Sequence, residues 1–127
     1  MNRVQDQYLD YFINYLKVER GLAENTLSAY SRDLTAYLGY LSEGFSIDNP
    51  AKIGQSQVLS YLVFLKNNGL APQSRARCLS SLRMFHRFLL REKYAELDPT
   101  SLIESPRSIQ RLPKLLSQLQ VETLLNA

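Results

Sequence analysis

A chain of 127 residues has material for one ordinary hydrophobic core and little beyond it. Its single cysteine excludes a disulfide framework within the chain. No run is apolar for long enough to span a bilayer, and the opening MNRVQDQYLDYF sets acids and tyrosines where a signal peptide needs an unbroken apolar stretch.

Hydrophobic periodicity and breakers predict four helices. The first runs from about Arg3 to Arg20, turns Leu9, Phe12, Ile13 and Leu16 inward, and ends at Gly21 as a C-terminal cap. The second runs from about Glu24 to Ser42, with Leu27, Tyr30, Leu34, Tyr37, Leu38 and Leu41 on one face and Gly44 as its stop. The third, about Gln55 to Asn67, buries Val58, Leu59, Leu62 and Leu65 and stops at Asn68-Gly69. The fourth opens at Pro72, which suits a first helical position, and ends near Lys93. No strand is expected, so the fold class is all-α.

The character changes after the fourth helix. Asp98-Pro99 reads as a cap and first-turn proline, which predicts a short helix over 99–103. ESPRSIQRLPK carries two prolines and little periodicity and reads as an extended linker. Ser117 with Gln120 is a capping box that starts a last helix of about ten residues. An amphipathic helix that short needs something else to pack on. The expected division is a helical domain at 1–104, a linker at 105–116 and the start of a truncated second domain at 117–127.

The charge is unevenly spread within a net of +3. Residues 1–71 carry six basic against seven acidic residues, whereas residues 72–127 carry nine against five. Within 72–93, six basic residues stand against one acid, Glu92. Charge gathered on one element points to an anionic partner.

SRARCLSSLRMFHRFLLR, Ser74 to Arg91, makes that concrete. Cys78, Leu82, Phe85 and Leu89 recur at helical spacing and form a core-facing stripe. Ala76, Ser80, Arg83, Arg87 and Arg91 fall opposite it, with Arg77 flanking them. Arginines among small residues suit an approach to phosphate. The plainer alternative is a solvated charged face, but Glu92 offers the only local acid for pairing.

The second helix has a comparable outer face of Ser28, Arg32, Thr35 and Gly39, with Ser31 and Ala36 alongside. Small side chains allow close approach, and hydroxyls can donate to phosphate oxygens. Periodicity leaves open whether DNA or another helix of the same domain covers it.

His86 is the only histidine, without the companions a metal site needs, and reads as a half-buried aromatic with a polar edge. Cys78 reads as a small core hydrophobe. The tyrosines at helical spacings read as core and rim, none beside a base that would make it a nucleophile. Paired acids at metal spacing, glycine-rich phosphate loops and Ser-His-Asp sets are lacking. No catalytic residue, metal or cofactor is expected in this stretch. The cysteine usage suits a reducing cytoplasm.

Two segments, Arg20 to Leu41 and Ala71 to Leu90, resemble the N-terminal domain of tyrosine site-specific recombinases, with the greatest likeness to the bacterial XerC/XerD group and related phage-type integrases. Asn25-Thr26, Tyr30 and Asp33-Leu34 fit the family's second helix. Ser74, Arg77, Leu79-Ser80, Arg83, Phe85, His86 and Phe88 fit its fourth. Asp98-Pro99 stands where the family often has Asn-Pro, and Leu112-Pro113-Lys114 resembles the entry to the catalytic domain. Ala23 departs from the family, which often has a serine cap there.

The resemblance implies a four-helix, SAM-like orthogonal bundle that grips one side of a duplex half-site with its second and fourth helices. A catalytic domain would complete a C-shaped clamp. The chemistry it implies, attack by a tyrosine to give a 3′-phosphotyrosine link, belongs to positions beyond Ala127 and needs neither metal nor ATP. Four protomers, alike or with a sister recombinase, would act together on double-stranded DNA. The DNA-contacting residues expected are Thr26, Ser28, Arg32 and Thr35 from the second helix and Ser74, Arg77, Ser80, Arg83 and Arg87 from the fourth. Hydroxyls and Arg77 are assigned mostly to phosphate, and Arg83 or Arg87 to a guanine edge. The rival reading is a helical adaptor whose basic helix docks an acidic protein.

Overall fold

The structure, a computed structural model, describes residues 3–103. Four helices follow one another: α1 at Arg3–Val18, α2 at Glu24–Phe45, α3 at Gln55–Asn67 and α4 at Pro72–Arg91. A 3-10 turn at Pro50–Lys52 lies between α2 and α3. No strand occurs among the described residues, and none of their helices is long and apolar enough to cross a membrane.

Helix α2 is the centre of the bundle and packs against each of the other three, while α3 also meets α4. The core is built from Phe12 and Leu16 of α1, Leu34, Tyr37, Leu38 and Leu41 of α2, Val58 and Leu62 of α3, and Leu79, Leu82, Phe85 and Leu89 of α4. Phe12 closes the contact with α4, its ring 5.5 Å from both Phe85 and Phe88. Burying each such side chain contributes about 1.5–3 kcal/mol, so the apolar stripes hold the helices together. Ile13, Tyr30 and Leu65, expected inward, are only partly covered and pack on the rim of this core.

Helices α1, α2 and α4 end two or three residues from where expected, α1 at Val18 rather than Arg20, and α3 ends at Asn67 as expected. Gly44 does not stop α2, which runs on to Phe45 and ends at Ser46 in the left-handed region. An internal glycine costs about 1 kcal/mol against alanine. The extra turn sets the Phe45 ring 6.3 Å from Tyr40 and lets the Ile47 N–H bond the Leu41 carbonyl at 3.2 Å. Helix α4 stops at Arg91, with Lys93 at a φ of 64°. The Lys93 N–H reaches the Leu90 carbonyl and the Tyr94 N–H the Leu89 carbonyl, a complete Schellman cap. Gly69 makes the same cap for α3 at a φ of 84°, with Leu70 N–H on the Leu65 carbonyl.

The expected helix over 99–103 is a pair of turns instead. Asp98 Oδ1 accepts from both the N–H and the hydroxyl of Thr100, at 2.8 and 2.6 Å. A side chain that bonds its own backbone in this way competes with helix formation. Thr100 and Ile103 are buried, so the segment lies across the core as a short strap. The linker and second domain expected at 105–116 and 117–127 lie outside the described residues.

Candidate nucleic-acid interface

The outer face of α2 is open. Ser28, Arg32 and Ala36 are exposed, Thr26, Ser31, Thr35 and Gly39 are partly covered, and a side-chain carbon built on Gly39 would meet nothing within 4 Å. No helix among the described residues covers it, which removes the internal-packing reading for those residues. On α4, Ala76, Arg77, Ser80, Arg87 and Arg91 are exposed, and Ser74 and Arg83 are partly covered.

The two faces meet at Asp33. This carboxylate lies on the edge of α2 against α4 and is 8% exposed. Arg77 donates to it from Nε at 3.2 Å and Nη2 at 3.0 Å, and the Ser81 hydroxyl adds a third bond at 3.1 Å. Hydrogen bonding to Asp33, reinforced by its charge, raises the Arg77 pKa above its ordinary value. Arg77 still has half its side-chain surface in solvent. It is thus both a fastener between helices and part of the cationic face.

The arginines of α4 therefore differ in what they have free. Arg83, expected as one of two candidates with Arg87 to reach a base, turns its Nε and Nη2 to the Ile103 carbonyl and ties the strap to the helix. Arg91 lies 4.6 Å from the centre of the Tyr15 ring, donates to the Tyr15 hydroxyl at 2.7 Å and stands 3.4 Å from Glu92. Arg75 falls on the buried side at 5% exposure, with Nε and Nη1 lacking a hydrogen-bond partner among the described residues. Its inward placement takes it out of the cationic surface counted from sequence. Arg32 and Arg87, by contrast, are exposed and make no hydrogen bond or ion pair among the described residues.

His86 is fully buried rather than half-buried, and its Nε2 shares a 2.9 Å hydrogen bond with the Tyr37 hydroxyl. Burial lowers its pKa to about 4, with the Asp98 charge pulling the other way, so the ring is neutral at physiological pH. Burial also raises the Tyr37 pKa well above that of an ordinary phenol. The pair joins α2 to α4 inside the core and offers no reactive group to a ligand. Cys78 is buried as expected, and burial raises its thiol pKa. No cluster of metal-ligating side chains occurs among the described residues.

Residues 9–93, most of the chain, match the family described as the phage integrase N-terminal SAM-like domain. The chain belongs to this family. Similar curated proteins include the tyrosine recombinase XerD of Halalkalibacterium halodurans, 43% identical over 119 residues that cover 94% of this chain and 40% of that protein. The tyrosine recombinase XerD of Oceanobacillus iheyensis is 40% identical over 117 residues, covering 92% and 39%. That of Pseudomonas putida is 41% identical over 119 residues, covering 94% and 39%. No solved structure matches. The chain spans about two-fifths of the length of these relatives, and the match to the SAM-like domain takes in α2, α3 and α4 whole.

Proposed function

We propose that this SAM-like domain binds double-stranded DNA through the outer faces of α2 and α4. In this reading it holds one half-site for a Xer-like tyrosine recombinase. The observation that carries the reading is a pair of exposed arginines without partners among the described residues, Arg32 and Arg87, on two open helix faces fastened together at Asp33 and Arg77. Membership of the integrase SAM-like family and likeness to proteins named tyrosine recombinases support the same reading.

The free forks of Arg32 and Arg87 suit phosphate or a guanine edge, and the hydroxyls of Thr26, Ser28, Thr35, Ser74 and Ser80 suit phosphate oxygens. Arg77 adds charge from its exposed half. Arg83 has its acceptor within the domain, so base reading passes to Arg87. Strand exchange belongs to a parent recombinase acting as a tetramer in the cytoplasm.

Affinity of the 127-residue chain for duplex DNA, measured against salt, tests this. Each phosphate contact contributes about 0.9 to the slope of log K against log salt. A slope above about 2 is expected for several such contacts. Absence of duplex binding at low salt, with capture of an acidic protein instead, would favour an adaptor.

A further inference from the structure

A groove of about 460 Å³ runs between α1 and α2, lined by Ile13 and Lys17 on one side and Glu24, Leu27, Ser28, Ser31 and Arg32 on the other. Lys17 stands in the last turn of α1, exposed, and makes no ion pair or hydrogen bond among the described residues. Arg32 faces the same groove from the middle of the proposed DNA surface. Ser28 and Ser31 lie one helical turn before it and beside it, so their hydroxyls and the two cations line one wall-to-wall set of donors. Ile13 and Leu27 are apolar and supply no acceptor. Glu24 is the one acid.

We propose that this groove seats a phosphodiester group of the DNA backbone, extending the interface from α2 onto α1 with Lys17 as the contact. The proposal rests on the DNA-binding reading above. An ammonium on a long stem, a guanidinium fork and two hydroxyls complement the phosphate oxygens and select no base. Glu24 opposes the same oxygens and limits how tightly they are held. The groove thus carries two charges whose effects on DNA affinity have opposite signs.

That opposition makes the test sharp. Duplex affinity of the 127-residue chain is measured across a salt series for the parent sequence, Lys17→Gln, Glu24→Gln and Lys66→Gln. Lys66 is an exposed cation on α3, away from the groove, and serves as the control for long-range charge. Lys17, Glu24 and Lys66 are all exposed, so these changes remove no core packing. Lys17→Gln is expected to weaken binding equally for unrelated duplexes and to lower the salt slope by about 0.9. Glu24→Gln is expected to tighten binding, and Lys66→Gln to leave the slope as it was. Failure of the parent chain to bind duplex overturns the DNA reading itself. Parent binding with Lys17→Gln and Lys66→Gln indistinguishable, or with Glu24→Gln neutral or weaker, overturns the groove alone.

Discussion

Asp33 accepts both arms of the Arg77 guanidinium, at 3.0 and 3.2 Å, where the open faces of α2 and α4 meet. An acid on a surface proposed to meet DNA would be a repulsive element. Here it is nearly buried and pointed at a cation, so it fastens α2 to α4 while subtracting little from the field outside.

Asp33→Asn should separate those two effects. The amide can keep the Ser81 bond but loses its charge-assisted fork, which costs about 1–2 kcal/mol of stability in chemical denaturation. Arg77 is then free for phosphate, and the salt slope of duplex binding should rise by up to about 0.9. A variant that loses both stability and salt slope would show that the fastened geometry, not the free charge, is what DNA requires.

Among the arginines of α4, Arg87→Gln should weaken duplex binding and lower the salt slope by about 0.9. Arg83→Gln should leave the slope nearly unchanged. It should instead raise hydrogen exchange at the Ile103 amide, whose N–H bonds the Thr100 carbonyl within the strap. Equal slopes for the two variants would count against the division of labour.

The buried His86 makes stability depend on pH. In the folded chain the ring takes a proton only near pH 4, and in the unfolded chain near 6.5. Between those values the unfolded chain binds the proton more tightly, so folding stability present above pH 6.5 falls as the pH drops to about 4. The loss amounts to about 3 kcal/mol and levels off below that range. His86→Phe with Tyr37→Phe removes both partners of the hydrogen bond and should flatten this component in urea titrations at pH 7.5, 6 and 5. An unchanged pH profile in the double variant would exclude His86 as its source.

Lys93 closes the Schellman cap of α4 in a left-handed conformation that glycine adopts without cost. Lys93→Gly should stabilise the domain by about 1 kcal/mol, a rise in Tm of about 4–8 °C. A fall in Tm would mean that the lysine side chain makes a compensating contact.

Gly39 sits mid-helix on the open face of α2 with space around it. Gly39→Ala should stabilise the free domain by about 1 kcal/mol. If the duplex approaches this part of α2 closely, the same change should weaken DNA binding. Unchanged affinity would place the duplex further away.

The four helices were readable because each apolar stripe keeps one period between clear breakers, as with Leu34, Tyr37, Leu38 and Leu41. Gly44 misled because one glycine costs a helix only about 1 kcal/mol and need not end it; the chain turns left-handed at Ser46 instead. Asp98-Pro99 misled because the carboxylate bonds Thr100 and consumes the first turn. The cationic face of α4 was legible as a surface, whereas periodicity alone left open whether another helix of the domain covers the outer face of α2. What each arginine does was not legible. Arg77, Arg83 and Arg91 share a sequence pattern with Arg87, but their partners Asp33, Ile103 and Tyr15 lie 44, 20 and 76 residues away. Arg75 falls only a few residues from the others yet on the inward arc. Asp33 did leave a trace, an acid one turn before the buried Tyr37.

Cys78 is the chain's only thiol, and it sits buried beside the Arg77–Asp33 fastening with a raised pKa. A disulfide reagent in solution must therefore wait until α4 lifts from its neighbours. The labelling rate of this one atom is a clock for how often α2 and α4 part. Loosening Asp33 should make that clock run faster well before any loss of helix content can be seen.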